Sequence, residues 1–590
     1  MAKPTAATEL NTLRDAVSAQ QQQIQMLRDE LARRDAAMQR VQQQVDSLQS
    51  VAGRVQAAEA CCKDNGDALA ALKTNVASIQ TTATATANSL QAAEKKITAL
   101  ESPLAIKYKG ITITPGGFIS ANGIFRSKAQ NLSNASTFAG MPFSGQPLSH
   151  LSELRFNARY SRLSMLAEGK WGGNKVQAYY EMDFEGAAQT ANENITNSFT
   201  PRVREAWANV DTASGWSFAG GQTWNLLTAN RTGVGPRGLM LPAHIDASLV
   251  VGFHYAREGT FRVYRTVNLE DKKKLYFAFS LENPQTVCVS SSTACAGTLP
   301  AFPLLPGGAQ PALTLFGLQG SAGQPSAIAP NGGFAAPVSV NWLPDMAGKV
   351  ALEPGWGHFE LGVIGRFYRV RISDPSVTGV NNAGSNQTTN SAAVSFNAVM
   401  PVVAKKVDVV FTSLVGQGIG RFGPGGGSDV TIRPNGSIEP LRGGQFYAGI
   451  EGHPTPKLDL YIYYGNEYYG RARYATGGNL AGTVAPTLIP NGIGYGYEGQ
   501  GLGGCRVEFA SAAPTPGSLG CTSSTRDIYE ITPGFWYRFY KGPAGTIQYG
   551  MFWEYTHRGL WRGRVTTAGD LGAFPAIQNT VLTAFRWYFP

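Results

Sequence analysis

Between residues 526 and 590 apolar side chains recur at every second position, and that period restricts the fold more than any other feature of the chain. Ile547, Tyr549, Met551, Trp553 and Tyr555 share one parity; Thr546, Gln548, Gly550 and Glu554 share the other, with Phe552 the one large apolar intruder. A period of two is the mark of a strand with one apolar face. The preceding run alternates likewise: Tyr529, Ile531, Phe535, Tyr537 and Phe539 against Glu530, Thr532, Trp536 and Arg538, joined to the next run by the short Gly/Pro turn at 541–545. The last run places Val581, Phe585, Trp587 and Phe589 opposite Thr580, Arg586 and Tyr588.

The period changes to two at Ile106 and holds for sixteen strand candidates, from 111–126 through 153–170, 215–227 and 249–267 to 576–589. Tight links recur at alternate junctions, at 171–174, 211–215, 267–272, 354–357, 403–406 and 453–456. The intervening links are long, above all 284–345 and 469–524, rich in Gly, Ala, Ser and Pro. A water-soluble sandwich would have an aliphatic core and turns of similar size at both ends. Dense aromatics with alternating short and long turns fit an outer-membrane barrel instead. The sixteen-strand count requires 249–267 to be one strand, running through Arg257-Glu258-Gly259. An even count puts both termini on the short-turn, periplasmic side.

Residues 10–102 read differently. Leu10, Leu13, Val17, Ile24, Leu27, Leu31, Met38, Val41, Val45 and Leu48 keep the three-four spacing of a coiled coil, with Gln20 and Arg34 as polar positions on the seam. A second frame runs from Leu69 through Val76, Ile79 and Leu90 to Leu100, and the phase slips near 56–68. Cys61 and Cys62 sit at that slip. They read as a disulfide between chains or as a pair of buried thiols. A lone helix would leave the stripe uncovered, so the pattern calls for oligomerisation. The rod would be roughly 135 Å long at the α-helical rise. Residues 1–9 read as a disordered lead-in without the basic start and apolar core of a signal peptide, so the chain reads as a mature one.

The net charge of +10 falls wholly after residue 102: residues 1–102 hold 11 basic and 11 acidic side chains. The excess is scattered through alternating strands rather than clustered, which argues against nucleic acid as a partner and for a solvated, mildly positive pore wall. By parity, the lumen-facing candidates are Arg155, Asn157 and Arg159 on the second strand, and Gln177, Glu181, Asp183 and Glu185 on the third. Arg202 and Arg204 follow on the fourth, His254 and Arg262 on the sixth, Glu360 and Arg366 on the ninth, and Arg538 on the fourteenth. Arginines on one wall facing carboxylates on another would set a transverse field across a pore. Cys288 with Cys295, and Cys505 with Cys521, lie in loops and read as local disulfides rather than free thiols. No cofactor or metal is expected, since no cysteine has a nearby histidine. The six scattered histidines accompany no Gly-x-Ser-x-Gly elbow, so the chain does not read as an enzyme. The glycine run 423–427 lacks the lysine and hydroxyl of a phosphate loop and reads as a flexible loop.

The helical extension, followed by Tyr108-Lys-Gly-Ile-Thr-Ile-Thr-Pro-Gly-Gly-Phe118 and Arg155-Phe-Asn-Ala-Arg-Tyr-Ser-Arg-Leu163, resembles trimeric porins of the DcaP-like and acidobacterial kind. The Tyr588-Phe589 end resembles the C-terminal signal of outer-membrane proteins, with Pro590 as a departure. The resemblance implies a mainly β chain: a 16-stranded antiparallel transmembrane barrel over 103–590, long loops outside the cell, and a coiled coil in the periplasm. It implies a homotrimer in outer-membrane lipid that passes small hydrophilic solutes, often anionic, by passive diffusion. The coiled coil could meet peptidoglycan or periplasmic proteins. The other readings are a structural protein whose rod spaces or tethers the envelope and, third, a surface adhesin carried by the long loops.

Overall fold

A computed structural model describes residues 6–59, 66–100, 105–130, 138–186, 200–288, 298–299, 302–304, 308–310, 313–316, 339–374, 384–479, 483–485, 488–508 and 520–589. They divide into two compact units, 1–103 and 104–590.

The first unit holds two helices, α1 (Ala6–Glu59) and α2 (Gly66–Leu100). The seam residues Leu31, Met38, Val41 and Val45 of α1, and Leu72, Val76, Ile79 and Leu90 of α2, are half-buried, whereas Ile24 and Leu27 are exposed. A single copy thus covers the stripe only in part. Arg34 is exposed and pairs with Glu30 one turn earlier at 3.5 Å. Gln20 lies on α1, but its side chain, like Cys61 and Cys62, is outside the described residues.

The second unit is a barrel of sixteen strands: β1 (Ile111–Arg126), β2 in two pieces (Glu153–Asn157 and Arg162–Trp171), β3 (Asn174–Gly186), β4 (Thr200–Asp211), β5 (Trp216–Trp224), β6 (Arg257–Asn268), β7 (Lys274–Glu282) and β8 (Asp345–Glu353). It continues with β9 (His358–Ser373), β10 (Ser385–Val403), β11 (Val407–Gln417), β12 (Arg442–Thr455), β13 (Leu458–Tyr469), β14 (Thr525–Gly542), β15 (Gly545–Leu560) and β16 (Ala576–Tyr588). Each strand pairs antiparallel with its neighbour in sequence. β16 returns to β1 with Phe118 opposite Tyr588 and Arg126 opposite Thr580, so no edge remains. Links at one end are tight, as at 172–173 between β2 and β3, where Gly172 takes φ 59°.

The period-two pattern sorts the faces as expected. On β14, Ile528, Glu530, Thr532 and Trp536 are buried inside. The outer face carries exposed apolar chains on strand after strand; Phe261 is 75% and Phe156 72% exposed. A water-soluble monomer does not show such a belt.

Two expectations change. The second strand is interrupted at 158–161, where Ser161 N–H bonds the Ala158 carbonyl at 3.0 Å and Asn157 Oδ1 accepts from Arg159 N–H at 3.1 Å. More important, 249–256 is not strand: β6 starts at Arg257 and β5 stops at Trp224. The strand count survives, but residues 225–256 leave the wall and fold inward.

Candidate functional site: the barrel lumen

β5 has only nine residues, so the chain departs from the wall before reaching the long-loop rim. Asn225 N–H bonds the Ala256 carbonyl at 2.8 Å and closes the base of the segment. From there it meets the interior strand by strand. Leu226 N–H donates to Glu282 on β7 (2.7 Å), and Lys349 Nζ on β8 donates to the Thr228 carbonyl (2.8 Å). Asn230 N–H donates to Glu360 on β9 (3.2 Å), and Asn397 Nδ2 on β10 to the Leu227 carbonyl (3.3 Å). Arg231 pairs with Asp408 on β11 (3.3 Å) and with Glu451 on β12. Ala243 accepts from Trp536 Nε1 on β14 and donates to Tyr463 OH on β13, at 2.8 and 2.7 Å. His244 faces Glu554 on β15 at 3.3 Å, and Arg586 on β16 donates to the Ile245 carbonyl. On β13, Gly465 lets the segment lie against the wall: a β-carbon there would overlap the Val251 carbonyl oxygen.

These contacts divide the interior into two halves. Through mid-barrel on β7 to β16 the lumen-facing side chains are buried, including Ser280, Lys349, Glu360, Arg366, Asn397, Tyr463, Glu530, Glu554 and Arg586. On β2 and β3 they are half-exposed: Arg155, Asn157, Arg162, Ser164, Glu168, Gln177, Tyr179, Glu181 and Glu185, joined by Arg202 of β4. Among the described residues, that wall is where water reaches the lumen at mid-height.

The charges there are paired directly. β3 and β4 are neighbours, with Asp183 opposite Arg202. Arg202 bonds Asp183 through two nitrogens, at 3.0 and 2.7 Å, and Glu185 at 2.7 Å. Arg204 bonds Glu181 at 2.8 Å and Asp183 at 2.6 Å, and lies 3.4 Å from Asp246 of the inward segment. Arg162 reaches the same Asp246 at 2.7 Å. The transverse field expected from opposed walls therefore becomes a local network, because the arginines and carboxylates occupy adjacent strands rather than opposite ones. Asp183 lies behind Arg202, at 1% exposed against 37%, and Asp246 behind Arg162, at 1% against 15%, whereas Arg204 is sealed in with them at 1% and its partner Glu181 is more open at 14%. Burial alone would raise the Asp246 pKa, but Arg204, Arg162 and Arg257 hold it well below the usual carboxylate range.

The remaining predicted wall residues are spread around the barrel. Arg155 is half-buried on β2, and Arg159 half-buried in its interruption. Arg262 is buried on β6 and donates to the Trp224 carbonyl at 2.7 Å. Arg366 is buried on β9 and pairs with Asp345 and Asp429, each at 3.0 Å. Arg538 pairs with Asp459 near the short-turn end of β14. His254 is not on a strand. It lies in the inward segment with Nε2 at 3.0 Å from the Leu227 carbonyl, and burial pushes its pKa down to about 4.

Parity alone would have found Lys349 and Arg586; Arg162 was hidden by the interruption at 158–161, which resets the parity of the second strand. Glu205 was hidden by a register shift between Glu181 and Met182, which turns both Arg204 and Glu205 inward. Asp246 and Arg231 carried no periodic signal at all.

Cys505 and Cys521 form a disulfide, with Cα atoms 4.8 Å apart. Cys288 is also disulfide-bonded, and Cys295 lies outside the described residues. Asp408, Glu451 and His453 bring ligand atoms within 4.8 Å of one another. Arg231 already pairs with both carboxylates, and His453 Nδ1 contacts Asp459 at 2.7 Å, so these charges are satisfied within the chain.

No protein-family model and no curated protein matches the chain. Among solved structures, it is similar to the outer membrane channel DcaP of Acinetobacter baumannii at 15% identity, over 82% of this chain and 99% of that one, with a TM-score of 0.49. It is similar to an anion-selective porin from Comamonas acidovorans at 9% identity, over 81% of this chain and 100% of that one, TM-score 0.37. Salmonella typhi OmpF matches at 9% identity, over 82% of this chain and 100% of that one, TM-score 0.39.

Proposed function

We propose that the chain is an outer-membrane porin, a passive diffusion channel for small hydrophilic solutes with a mild preference for anions. The observation that carries this reading is a closed sixteen-strand barrel, apolar outside, with one charged, water-reached wall inside. Solutes pass along β2 to β4, where the Arg202 and Arg162 guanidinium groups front the buried Asp183 and Asp246. The helices pair their stripes in a homotrimeric coiled coil on the periplasmic, short-turn side, and the long loops face outward.

Single-channel recording in planar bilayers with a salt gradient tests this. Openings in steps of three, reversing on the anion side, are expected. A folded, heat-modifiable barrel that never conducts would favour the second reading, an envelope spacer anchored by its barrel. The observations behind that alternative are the filled half of the lumen and, separately, the two long helices.

A further inference from the structure

The inward segment is covered almost throughout, with one exception. Thr232, Arg237 and Gly238 are its only exposed residues. They form the tip of a tight reversal: Arg231 N–H bonds the Gly238 carbonyl at 2.7 Å, and Met240 N–H bonds the Ala229 carbonyl at 2.8 Å. Gly238 takes φ 84°, and a β-carbon there would lie 2.8 Å from the Thr232 carbonyl oxygen. At its base Asn230 is bonded to Glu360 on β9, across the lumen from β3. At its tip the Arg237 guanidinium carbon stands 5.2 Å from the centroid of the Tyr179 ring on β3. That ring is itself fixed. Its hydroxyl donates to Glu181 at 2.9 Å, and Trp207 lies beside it at 5.5 Å. The reversal thus bridges from the dry half of the lumen to the wet one and ends on a cation.

Arg237 is exposed and stands outside the arginine–carboxylate network; Arg262 and Arg586, which likewise form no salt bridge among the described residues but bond carbonyls, are buried. Arg162, Arg202, Arg204, Arg231 and Arg366 each pair with carboxylates. Among the described residues Arg237 forms no salt bridge and feels a carboxylate, Glu168, only at longer range. The ring face holds a guanidinium without cancelling its charge. A solute moving along β2 to β4 therefore passes an exposed net positive charge on one side and a largely neutralised network on the other.

We propose that Arg237 is the specificity-determining residue of the channel: its charge, held over Tyr179 in the wet half of the lumen, sets the preference for small anions such as carboxylates, phosphate or chloride. This rests on the porin reading, and two measurements separate their failures. In planar bilayers with a steep KCl gradient, wild type reverses on the anion side, Arg237→Lys keeps the sign, Arg237→Gln moves reversal close to zero, and Arg237→Glu carries it to the cation side with conductance changed less than about twofold. An Arg237→Glu channel that still reverses like wild type overturns the proposal while leaving the porin reading intact. The second measurement needs no conduction. In the full chain carrying Thr232→Cys, an anionic sulfonate thiol reagent should label several-fold faster than a cationic trimethylammonium one, and the ratio should collapse when Arg237→Gln is added. A ratio unaffected by Arg237→Gln overturns the proposal even for a silent barrel.

Discussion

Two walls of the same barrel bury charge in opposite ways. On β8 and β9, Lys349 is bonded to Glu360 at 2.9 Å with both side chains fully buried; His358 adds a contact at 3.0 Å, and the inward segment supplies the Thr228 carbonyl. On β3 and β4, the Arg202 guanidinium faces water, with Asp183 buried behind it. Both walls follow the same alternation, yet one is dry and the other wet. Alternation decides which side chains enter the lumen. What they meet there is decided by residues 225–256.

The comparison breaks most visibly if the segment is moved. Gly465→Val places side-chain atoms where the Val251 carbonyl lies. The segment should lift from β13, and single-channel conductance should rise several-fold with heat-modifiable folding retained. Unchanged conductance would mean the dry wall does not owe its dryness to this contact.

Stability should also separate the walls. Glu360→Gln leaves Lys349 buried without its charge partner, at a cost of about 3–5 kcal/mol by urea unfolding in detergent. Equal losses from Glu360→Gln and from a wet-wall change would erase the distinction.

Acid should act on the segment through His254, whose neighbours are the Leu227 carbonyl, Lys349 and Glu360. Its docked pKa of about 4 lies below the ordinary value for free histidine, so the undocked state binds more protons between the two. Docking is therefore at full strength above the ordinary value and weakens as pH falls towards 4, by about 1.4 kcal/mol per unit. Hydrogen-exchange protection factors across 225–256, which divide out the base-catalysed rise of intrinsic exchange with pH, should be higher at neutral than at mildly acid pH. His254→Asn should flatten that dependence; persistence of the full effect would point to another group.

The smallest effect belongs to the wet wall. Arg202→Gln, at a side chain 37% exposed, should cost no more than about 1 kcal/mol in the same unfolding assay. A larger loss would mean that this network is as sealed as the Lys349 pair.

Legibility in the sequence follows the same division. The strands were readable because lipid-facing and lumen-facing residues must alternate, and the Tyr529–Phe539 and Ile547–Tyr555 faces fall as that rule requires. The pairing of Asp183 with Arg202 needed only the recognition that consecutive strands are neighbours. The inward segment was not readable. Leu249, Val250, Val251 and Phe253 form an apolar run that suits a strand, and they are indeed buried, but in the lumen rather than against the outer belt. An apolar run states that burial is required and not what covers it. The register shift beside Glu181 was invisible for a similar reason: one extra inward residue on β4 changes no local pattern.

The seam between β1 and β16 has a consequence for how the molecule comes into being. Phe118 and Tyr588 are partners, so the last strand to be synthesised completes the pairing of the first. Until then β1 presents a row of unanswered amides, with nothing downstream yet able to satisfy them. Loop closure on that scale is slow, and an open edge is sticky. The barrel therefore cannot mature while the ribosome is still at work. The chain must be kept apart from its own kind from first strand to last, and its assembly is an event that follows translation rather than accompanying it.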